Sequence, residues 1–586
     1  MLRTHHCNEL RNKDLKKNVV LCGWVQTRRD HGGVIFIDLR DRYGLTQVVF
    51  DPSHNKKIHA MAEKIRREFV LMAKGKVRAR GKDLVNKKLD TGEIEVFCDD
   101  LEILNMADVP PLEIDDRKIA SDDTRLKYRY LDLRRPEMQR NFLLRHKAAQ
   151  ATRKFLDKQG FLEIETPMLL KSTPEGARDY IVPSRVNPGT VYSLPQSPQL
   201  YKQILMISGF DRYFQIAKCL RDEDLRIDRQ PEFTQIDFEM SFVSEEDIFN
   251  ITEGIVSEIL TSTVKKKIKT PFKILTYKES IERFGTDKPD LRFGLELIDV
   301  TDIVKHSDFS VFKTVADKKG KVKCIKVKAD LSRNKLDELI EFVKVYKAKG
   351  MAWMKYTDKL ESSIVKYFNN KVQNELVKKT KIKNGEYLLF IADKENIVHT
   401  ALANLRNKLG QELKLFDPTE LNFVWIKDFP LFDWDDEIEE YTPAHHMFTM
   451  PTKETIQYIE KNPEKVISYC FDLVLNGVEL GSGSIRVHKP DIQEKIMKTI
   501  NISDKEAKQK FGFLLEAMKY GAPPHGGFAI GFDRLLAVLL SNDDIREVIA
   551  FPKNKNAQCP MDDCPSTISD KELKEVHLKW NIIKKK

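Results

Sequence analysis

The chain has 586 residues, of which 41% are hydrophobic, and 99 Lys and Arg residues against 89 Asp and Glu residues give it a formal net charge of +10. This length predicts several domains, and the apolar fraction is sufficient for more than one hydrophobic core. The basic excess is modest, so it is compatible with a polyanionic partner but is weak evidence for one.

The eight cysteines are dispersed, and no pair has the CxxC spacing typical of zinc or redox sites. Such dispersion is typical of a reduced, cytoplasmic protein. The first eighteen residues, MLRTHHCNELRNKDLKKN, are polar and lack the apolar segment of a signal peptide. No run of eighteen apolar residues occurs, so no membrane span and no membrane partner are expected.

The first hundred residues predict a small β-barrel. Five short strands and one helix between the third and fourth are expected, at 19–25, 34–40, 45–50, 70–80 and 93–104 for the strands and 59–69 for the helix. This order is typical of the OB fold, which binds single-stranded nucleic acid through aromatic and basic side chains. Arg28, Arg29, Phe36 and Gln47 could form that surface, although Phe36 fits the barrel core equally well.

A charged hairpin is predicted at residues 214–237, FQIAKCLRDEDLRIDRQPEFTQID. Arg221 and Glu223 follow its first strand and precede its second, which alternates apolar and polar residues from 233 to 238. An arginine fixed at a strand end can bind a phosphate or carboxylate through two nitrogens, and a glutamate two residues later faces the same side. The alternative is a solvated surface hairpin, because runs of charge usually lie at the surface.

Several other segments have local signals. Asn476-Gly477 between apolar runs is a strong hairpin signal. The other predicted features are a helix from 141 to 160, a strand at 161–167 closed by proline, a turn into a helix at 194–202, a helix at 245–260, a loop with two histidines at 445–446, and a glycine-rich stretch at 526–535 before a helix at 535–540.

The amino-acid composition changes after Lys288. The following stretch is rich in lysine and mixes helical and strand patterns until about Glu412, which predicts an inserted α+β domain, or alternatively a further layer of the main core. We expect a multidomain α+β protein with five parts, namely an OB-fold domain at 1–106, a linker or hinge at 107–140, a main domain in two pieces at 141–287 and 416–586, and the insertion at 288–415.

Three features in fixed order carry a family resemblance: a strand ending in proline at 160–167, Arg-x-Glu at 221–223, and Gly-x-Asp-Arg at 531–534. Behind an OB barrel, they resemble the three signature motifs of class II aminoacyl-tRNA synthetases, subclass b. The strings GARDY, QSPQLYKQ, RQPEFTQID and GSGSIR are similar to those of the bacterial aspartyl-tRNA synthetases. The resemblance covers nearly the whole chain and implies a six-stranded antiparallel sheet that carries ATP and an amino acid.

The resemblance implies a ligase that joins aspartate to ATP as aspartyl-adenylate and then to the 3′ end of tRNA(Asp). Arg221 would bridge the α-phosphate and the attacking carboxylate, and Arg534 would meet the γ-phosphate, which makes these two the expected catalytic residues. Glu223 and Gln230 would hold the adenine side. The expected ATP-binding set is Arg221, Asp222, Glu223, Gln230, Glu479, Gly531, Phe532, Asp533 and Arg534.

Asp472 and Glu479 flank the Asn-Gly turn and can face one another across the hairpin. Two carboxylates with phosphate oxygens suit Mg²⁺, and by the resemblance these residues are its ligands. The alternative is a solvated pair of acids on a hairpin.

By the same resemblance, aspartate would be bound by a cluster of charged residues. Arg486 would grip its side-chain carboxylate with Lys202 beside it, and Asp237 would meet its ammonium group. Such a site should reject asparagine, because cations would be left unpaired, and lysine, because like charges repel. The full expected set is Glu175, Gln199, Lys202, Arg221, Asp237, His445 and Arg486.

Two positions bear on details. Met447 follows the two histidines where the family usually has proline. Relatives with histidine at the position of His31 often also charge tRNA(Asn), so His31 predicts relaxed tRNA choice, although a lone loop histidine is often only solvent-facing. The resemblance further implies that Arg28, Phe36 and Gln47 read the anticodon, and that the strand ending at Pro167 forms a homodimer interface.

Alternatives remain open at this level. One is an asparagine- or lysine-specific enzyme of the same subclass, although a lysine enzyme should have acids where Arg486 and Lys202 stand. A second is a tRNA-independent amide ligase on the same fold, against which the barrel argues. A third is a nucleic-acid-binding protein with an inactive catalytic domain, against which the joint presence of Arg221, Glu223 and Arg534 argues.

Overall fold

The structure is a computed structural model that describes residues 1–173, 177–225, 227–542 and 544–581. The chain packs as two compact units, residues 1–143 with 550–566 and residues 144–549 with 567–586. Within the described ranges, no helix is both long and apolar enough to cross a bilayer. No disulfide joins the cysteines, all of which the structure describes.

The first unit contains the predicted barrel. Its five strands are β1 (Asn18–His31), β2 (Val34–Asp41), β3 (Gly44–Phe50), β4 (Val70–Ala79) and β5 (Ile94–Asn105). They close in the order β1-β2-β3-β5-β4 around an apolar core, which confirms the OB-fold prediction. Every second residue of β1 from Val19 to Val25 is buried, as alternation requires.

The barrel helix α1 (Lys56–Ala62) is earlier and shorter than predicted. Asn55 caps it, because its side chain accepts hydrogen bonds from the backbone N–H groups of Lys57 and Ile58. The apolar residues Ile65 and Phe69, which extended the predicted helix to 69, are buried outside it. The cap residue therefore sets the start of this helix, whereas the spacing of apolar residues in the sequence places its end too far along the chain.

The stretch predicted as a linker contains two short helices, α2 (Asp122–Lys127) and α3 (Arg129–Asp132). The buried carboxylate of Asp132 accepts hydrogen bonds from Arg125, Arg129 and Arg135 at 2.7–3.1 Å. Burial opposes its ionisation, but these arginines hold the pKa of Asp132 below its usual value. Three guanidinium groups around one carboxylate fix the fold of this stretch.

The second unit is built on two main sheets. Its strands are β6 (Leu162–Glu163), β7 (Ile181–Pro183), β8 (Val191–Ser193), β9 (Arg212–Leu220), β10 (Glu232–Ser241), β11 (Lys273–Thr276), β12 (Leu297–Asp299), β13 (Lys321–Lys328), β14 (Ala352–Tyr356), β15 (Leu360–Glu361), β16 (Glu386–Asp393), β17 (Phe423–Lys427), β18 (Phe432–Asp435), β19 (Glu440–Pro443), β20 (Cys470–Leu475), β21 (Val478–Ile485) and β22 (His525–Gly531).

The helices complete the list of elements. They are α4 (Pro136–Lys158), α5 (Gln199–Ile207), α6 (Glu245–Thr263), α7 (Tyr277–Phe284), α8 (Thr301–Val304), α9 (Ser310–Asp317), α10 (Arg333–Lys344), α11 (Asn370–Thr380), α12 (Glu395–Glu412), α13 (Pro490–Thr499), α14 (Asp504–Met518), α15 (Phe532–Leu539) and α16 (Asp570–Glu575).

The larger sheet has the order β11-β17-β20-β21-β22-β10-β9-β6. Its six central strands, β17 to β9 in that order, are antiparallel, which confirms the expected sheet. One short parallel strand is added at each edge, β11 beside β17 and β6 beside β9. The strand predicted at 161–167 is only two residues long, because its pairing with β9 stops at Glu163.

Alternation along β10 separates the two faces of this sheet. Ile236, Phe238 and Met240 lie in the main hydrophobic core with α6. Asp237 and Glu239 therefore point to the opposite face. The sheet thus presents charged side chains on the side away from its apolar core.

The predicted insertion has a sheet of its own, in the order β12-β13-β16-β14-β15. Helices α10 and α12 cover one face, and α8, α9 and α11 cover the other, each over a separate apolar cluster. On β13, Ile325 and Val327 enter the first cluster, while Val322 and Cys324 enter the second. A sheet buried on both faces agrees with an α+β insertion, and the exact boundaries at 288 and 415 stay predictions.

Candidate functional site

Four charged side chains meet on the polar face of the larger sheet. Lys202 Nζ of α5 lies 2.7 Å from Asp237 Oδ2 and 3.3 Å from Glu239 Oε2. Arg486, just after β21, donates from Nε to Glu239 Oε1 at 2.8 Å. All four side chains are at least 98% buried. Two cations and two anions therefore balance in a buried cluster, which we call the charge cluster.

Strand pairing explains how distant residues form the charge cluster. Gly527 on the intervening strand β22 pairs with both Glu239 of β10 and Ser484 of β21. A methyl group at Gly527 would lie 2.0 Å from Glu239 Oε2, so only glycine lets the carboxylate cross this strand toward Arg486. The glycine-rich stretch noted in the sequence thus leaves space for the Glu239 side chain to reach Arg486 across β22.

Arg486 makes its hydrogen bonds to neighbouring side chains and to one backbone carbonyl. Two of its nitrogens contact Glu239, and Nη2 also donates to the carbonyl of Gly527 at 3.3 Å. Nη1 contacts Ser484 Oγ at 2.6 Å and His446 Nε2 at 3.0 Å. All five N–H groups are therefore engaged, and the two-pronged contact is made with Glu239. A substrate carboxylate would have to displace Ser484 or His446 from Nη1.

Burial and charge set the protonation of this cluster. Burial raises the pKa of Asp237 to about 6, although Lys202 opposes this. Glu239 is as deeply buried, but Arg486 and Lys202 hold its pKa below the usual value. Burial and the neighbouring Arg486 lower the pKa of His446 well below its usual value. His446 Nε2 lies 3.0 Å from Arg486 Nη1, while Nδ1 accepts the backbone N–H of Phe448 at 3.2 Å and lies 3.3 Å from Thr449 Oγ1.

The two adjacent histidines have different surroundings. His446 contacts the charge cluster, whereas His445 Nε2 lies 3.6 Å from Asp472 Oδ1 and its ring meets Phe429 edge-on. Burial opposes its protonation, but Cys470 and Asp472 raise the pKa of His445 well above its usual value. Met447, between His446 and Phe448, accepts a hydrogen bond from Gln493 at 2.9 Å, which anchors the loop without proline.

The proposed metal ligands lie on the hairpin of β20 and β21. A bulge pairs Asp472 with Ser482 and Glu479 with Val474, so the two carboxylates share a face but lie diagonally rather than directly opposite. Lys288 Nζ lies 2.8 Å from Glu479 Oε2. Burial raises the pKa of Asp472. Partial burial opposes the ionisation of Glu479, but Lys288 holds the pKa of Glu479 below its usual value. Two carboxylates with a countercation fit a divalent-ion site.

Arg534 lies next to this pair. Its Nη1 donates to the carbonyl of Glu479 at 2.7 Å and its Nη2 lies 3.4 Å from Asp228 Oδ2. Its neighbour Asp533 accepts from Arg145 and, at 2.6 Å, from the backbone N–H of Thr234. The carboxylate of Asp533 is thus committed within the protein, and any nucleotide contact there would come from its backbone.

The other two members of this motif also lack a free side chain. Phe532 is 1% exposed, with the guanidinium of Arg145 4.8 Å from its ring centre, and Gly531 pairs with Gln235 at the end of β22. Both could reach a nucleotide only through backbone groups.

Arg221 follows β9 directly. Its backbone N–H donates to Pro231 at 2.9 Å, and its guanidinium stacks 5.2 Å from the centre of the Phe233 ring. Its Nε is buried and has no hydrogen-bond partner among the described residues. Glu223 accepts from Arg229 at 3.0 Å. The Arg-x-Glu motif is therefore in a loop beyond the strand, with Arg221 held over an aromatic ring.

Two further predicted ATP contacts flank this loop. The backbone N–H of Asp222 donates to the carbonyl of Arg178 at 3.1 Å, and the Asp222 carboxylate lies 3.8 Å from the Arg178 guanidinium. Gln230 is 6% exposed.

The barrel residues lie in the first unit. Arg28 donates to the carbonyl of Ala62 at 3.3 Å, and Gln47 is buried with its amide 2.7 Å from Glu95. Phe36 is partly exposed rather than part of the core cluster, and its ring meets exposed His31 edge-on at 6.3 Å. His31 ends β1 before two glycines with positive φ, which form the turn to β2.

Five of the predicted site residues share one property, a buried polar atom with no hydrogen-bond partner in the described protein. Buried polar atoms are nearly always paired, so such a concentration is typical of a site that awaits a ligand. The atoms are Gln199 Nε2, Arg221 Nε, Asp237 Oδ1, His445 Nδ1 and Asp472 Oδ1. A sixth predicted residue, Glu175, lies outside the described residues.

Sequence reasoning missed four residues of this region: Glu239, His446, Lys288 and Arg145. A signal existed for Glu239, because it is two residues from Asp237 on an alternating strand and so shares its face. Arg145, Lys288 and His446 had no local signal, since their partners are 388, 191 and 40 residues away in the chain.

The fold and this site define a class of protein. The family model described as "tRNA synthetases class II (D, K and N)" matches residues 121–555, and that of the "OB-fold nucleic acid binding domain" matches residues 19–104. The first match covers most of the chain, so the chain belongs to the class II tRNA synthetases of the D, K and N group.

Named relatives are similar over their full lengths. "Aspartate--tRNA(Asp/Asn) ligase" of Thermoanaerobacter sp. (strain X514) is 52% identical over 583 residues, which cover 99% of this chain and 98% of the relative. The protein of the same name from Aquifex aeolicus (strain VF5) is 50% identical, with 98% of each chain covered.

Solved structures share the fold. Asparaginyl-tRNA synthetase from Pyrococcus horikoshii, complexed with asparaginyl-adenylate, matches with a TM-score of 0.59 at 19% identity, over 94% of this chain and 98% of that one. A putative aspartyl-tRNA synthetase from Leishmania major Friedlin matches with a TM-score of 0.57 at 18% identity, over 94% of each chain. At such identities the match concerns the fold alone.

Proposed function

We propose that this protein is an aspartate–tRNA ligase. It activates L-aspartate with ATP to aspartyl-adenylate and transfers the aspartyl group to the 3′ end of tRNA(Asp). The observation that carries this proposal is the set of buried, unpartnered polar atoms on Gln199, Arg221, Asp237, His445 and Asp472, which belong to residues predicted independently as ligands. The full-length similarity to proteins named as aspartate–tRNA(Asp/Asn) ligases supports the same substrate.

Aspartate is selected by the charge cluster. Lys202 has three N–H donors, of which two point to Asp237 and Glu239, so the third is available to the substrate's side-chain carboxylate. Nη1 of Arg486 becomes the second donor when it releases Ser484 or His446. Asp237 Oδ1 accepts from the substrate ammonium group. Asparagine would place a neutral amide, with N–H donors of its own, against the N–H donors of Lys202 and Arg486, which predicts strong rejection.

Activation needs positioning and charge stabilisation more than covalent chemistry from the protein. Arg221, held over Phe233, reaches the α-phosphate through its unpartnered side and aligns the attacking carboxylate. Arg534 stabilises the distal phosphates. Asp472 and Glu479 would hold Mg²⁺, which when bound would neutralise phosphate charge. In the nucleotide-free protein, Lys288 offsets the charge of Glu479.

The barrel recognises the anticodon. Phe36 offers a partly exposed ring for base stacking, and Arg28 adds a cation. His31 stands beside Phe36, and with it we infer that tRNA(Asn) is charged as well as tRNA(Asp). Purified tRNA(Asn) should accept aspartate, and the substitution His31→Leu should narrow the choice to tRNA(Asp). No charging of tRNA(Asn) by the unaltered protein would contradict this inference.

A homodimer is proposed on the edge of the larger sheet. Strand β6 is the last strand at that edge, and its Leu162 is 51% exposed. Met168 and Leu169, which follow β6 in the chain, are also large, exposed apolar residues. An open edge with apolar residues suits pairing with a second copy. Sedimentation of the Leu162→Glu variant should show monomers where the unaltered protein forms dimers.

The experiment that tests the function is ATP–pyrophosphate exchange with each of the twenty amino acids. Exchange with aspartate alone is expected, followed by charging of tRNA(Asp). Exchange with asparagine or lysine would favour the sibling enzymes of the same class. No exchange with any amino acid would refute the assignment.

A further inference from the structure

A group of side chains beside the charge cluster has the chemistry of a transition-metal site. An imidazole nitrogen of His445, the thiol sulfur of Cys470 and a carboxylate oxygen of Asp472 all lie within 4.8 Å of one another. Cys470 and Asp472 are the first and third residues of β20, so alternation places both on one face of that strand. His445 reaches this face from the preceding loop.

Two observations indicate that the group is prepared to bind a ligand. Asp472 Oδ1 is buried and has no hydrogen-bond partner among the described residues, and the same is true of His445 Nδ1. The His445 imidazole retains about a quarter of its exposure, which leaves an entry path from solvent. The imidazole of His445 faces this buried Asp472 oxygen from 3.6 Å, and a metal cation bound between them would give both groups a ligand bond.

We propose that His445, Cys470 and Asp472 form a binding site for Zn²⁺, with water as the fourth ligand. Nitrogen and oxygen ligands about 2.0–2.1 Å from zinc in a tetrahedron lie about 3.4 Å apart, and His445 Nε2 is 3.6 Å from Asp472 Oδ1. A small movement of the Cys470 side chain completes the set. On binding, the Cys470 thiol loses its proton to solvent and its sulfur bonds to the metal.

This ligand set distinguishes zinc from magnesium. Imidazole and thiolate are poor ligands for Mg²⁺ but suit Zn²⁺, whereas two carboxylates suit Mg²⁺. Asp472 belongs to both sets, and His445 is part of the proposed aspartate site. Zinc bound here therefore competes with productive Mg²⁺ and ATP and inhibits the enzyme. This inhibition rests on the proposed function, but the binding of zinc does not.

Cobalt is the probe for the site itself. Co²⁺ added to the full-length protein should give intense visible bands of a tetrahedral ion and a near-ultraviolet band from thiolate-to-cobalt charge transfer. Added Zn²⁺ should abolish both. Cys470→Ala, and Cys470→Ser as a second variant if the first fails to fold, should lose the charge-transfer band. An unaltered protein without this band would refute the site.

Cys559 and Cys564 supply the matched control, since they face each other as bridge partners and are the alternative thiol pair. Cys564→Ala should keep the cobalt spectrum of the unaltered protein. A charge-transfer band that disappears with Cys564→Ala and persists with Cys470→Ala would overturn the proposal. This spectrum is independent of catalysis, so its outcome is separate from that of the exchange assay.

Activity then tests the inhibition. Cys470→Ala should exchange pyrophosphate at the rate of the unaltered protein and should tolerate at least tenfold more Zn²⁺ before half inhibition. Raising Mg²⁺ and ATP together should weaken the effect of Zn²⁺ on the unaltered protein. A cobalt spectrum as expected without any inhibition by Zn²⁺ would overturn the competition and leave only the metal site.

Discussion

The substitution Glu239→Gln tests whether one buried carboxylate sets the position of Arg486. The amide has nearly the same shape but no charge, and it accepts at only one of the two atoms that receive Arg486, at 2.8 and 3.0 Å. A hydrogen bond to a charged group contributes about 1.5–3 kcal/mol, and the bond that remains to Gln still has the charged Arg486 as its donor. Losing the other bond should therefore cost about 1.5–3 kcal/mol.

This loss should be visible in catalysis and in stability. At about 1.4 kcal/mol per factor of ten, kcat/KM for aspartate in pyrophosphate exchange should fall about 10- to 150-fold. The KM for ATP should change little, because Glu239 forms its ion pairs with Lys202 and Arg486. Thermal unfolding should also shift downward, since the cluster retains an excess positive charge in a buried position.

Glu245→Gln is the matched control for this experiment. Glu245 is also mostly buried and accepts from Lys427 at 2.8 Å, but it stands at the start of α6, outside the charge cluster. It should cost stability without changing the kinetics with aspartate. If Glu239→Gln lowers kcat/KM for aspartate no more than Glu245→Gln does, Glu239 does not position Arg486 and the reasoning is refuted.

Three further predictions concern the same sheet. The pKa of Asp237, about 6, lies above the usual value near 4, so Asp237 loses its charge as pH falls through about 6. The affinity for aspartate, measured by calorimetry, should fall over the same pH range, and an affinity that stays constant down to about pH 5 would contradict the role of Asp237. Lys288→Ala removes the ammonium group 2.8 Å from Glu479, so the nucleotide-free protein should bind Mg²⁺ several-fold more tightly by calorimetry, and an unchanged affinity would show that Lys288 does not compete for Glu479. Gly527→Ala places a methyl group 2.0 Å from a carboxylate oxygen and 2.2 Å from a carbonyl oxygen, so it should lower the free energy of unfolding by about 1–3 kcal/mol or more and abolish pyrophosphate exchange. In the control Gly512→Ala the nearest side-chain atom is 3.6 Å away, so neither stability nor exchange should change; equal effects of the two substitutions would show that steric crowding at Gly527 is not the cause.

The sequence was most informative where one face of a strand is buried. Alternation predicted the barrel strands and β10, and Asn476-Gly477 predicted the hairpin of β20 and β21, because these signals are local. The helix predicted at 59–69 is present with different bounds: it begins at Lys56, because Asn55 caps it, and it ends at Ala62. The strand predicted at 161–167 was too long, because its extent depends on a partner strand fifty residues away.

The site was predictable as a set of residues but not as a set of contacts. Resemblance supplied Lys202, Asp237 and Arg486, and the structure brings all three together. Arg486 forms its bidentate ion pair with Glu239, 247 residues away in the chain. This contact follows only from the pairing of β10, β22 and β21. Local pattern carries no information on such pairing.

The same wide spacing governs how the protein is made. During synthesis, β10 emerges long before β22, and the backbone N–H of Thr234 and its acceptor Asp533 are 299 residues apart. Until the last strands leave the ribosome, the acids of β10 remain hydrated and the edge of β10 opposite β9 lacks its partner strand β22. The catalytic sheet therefore closes only near the end of translation, and a truncated chain that ends before β22 presents an aggregation-prone edge to chaperones and proteases.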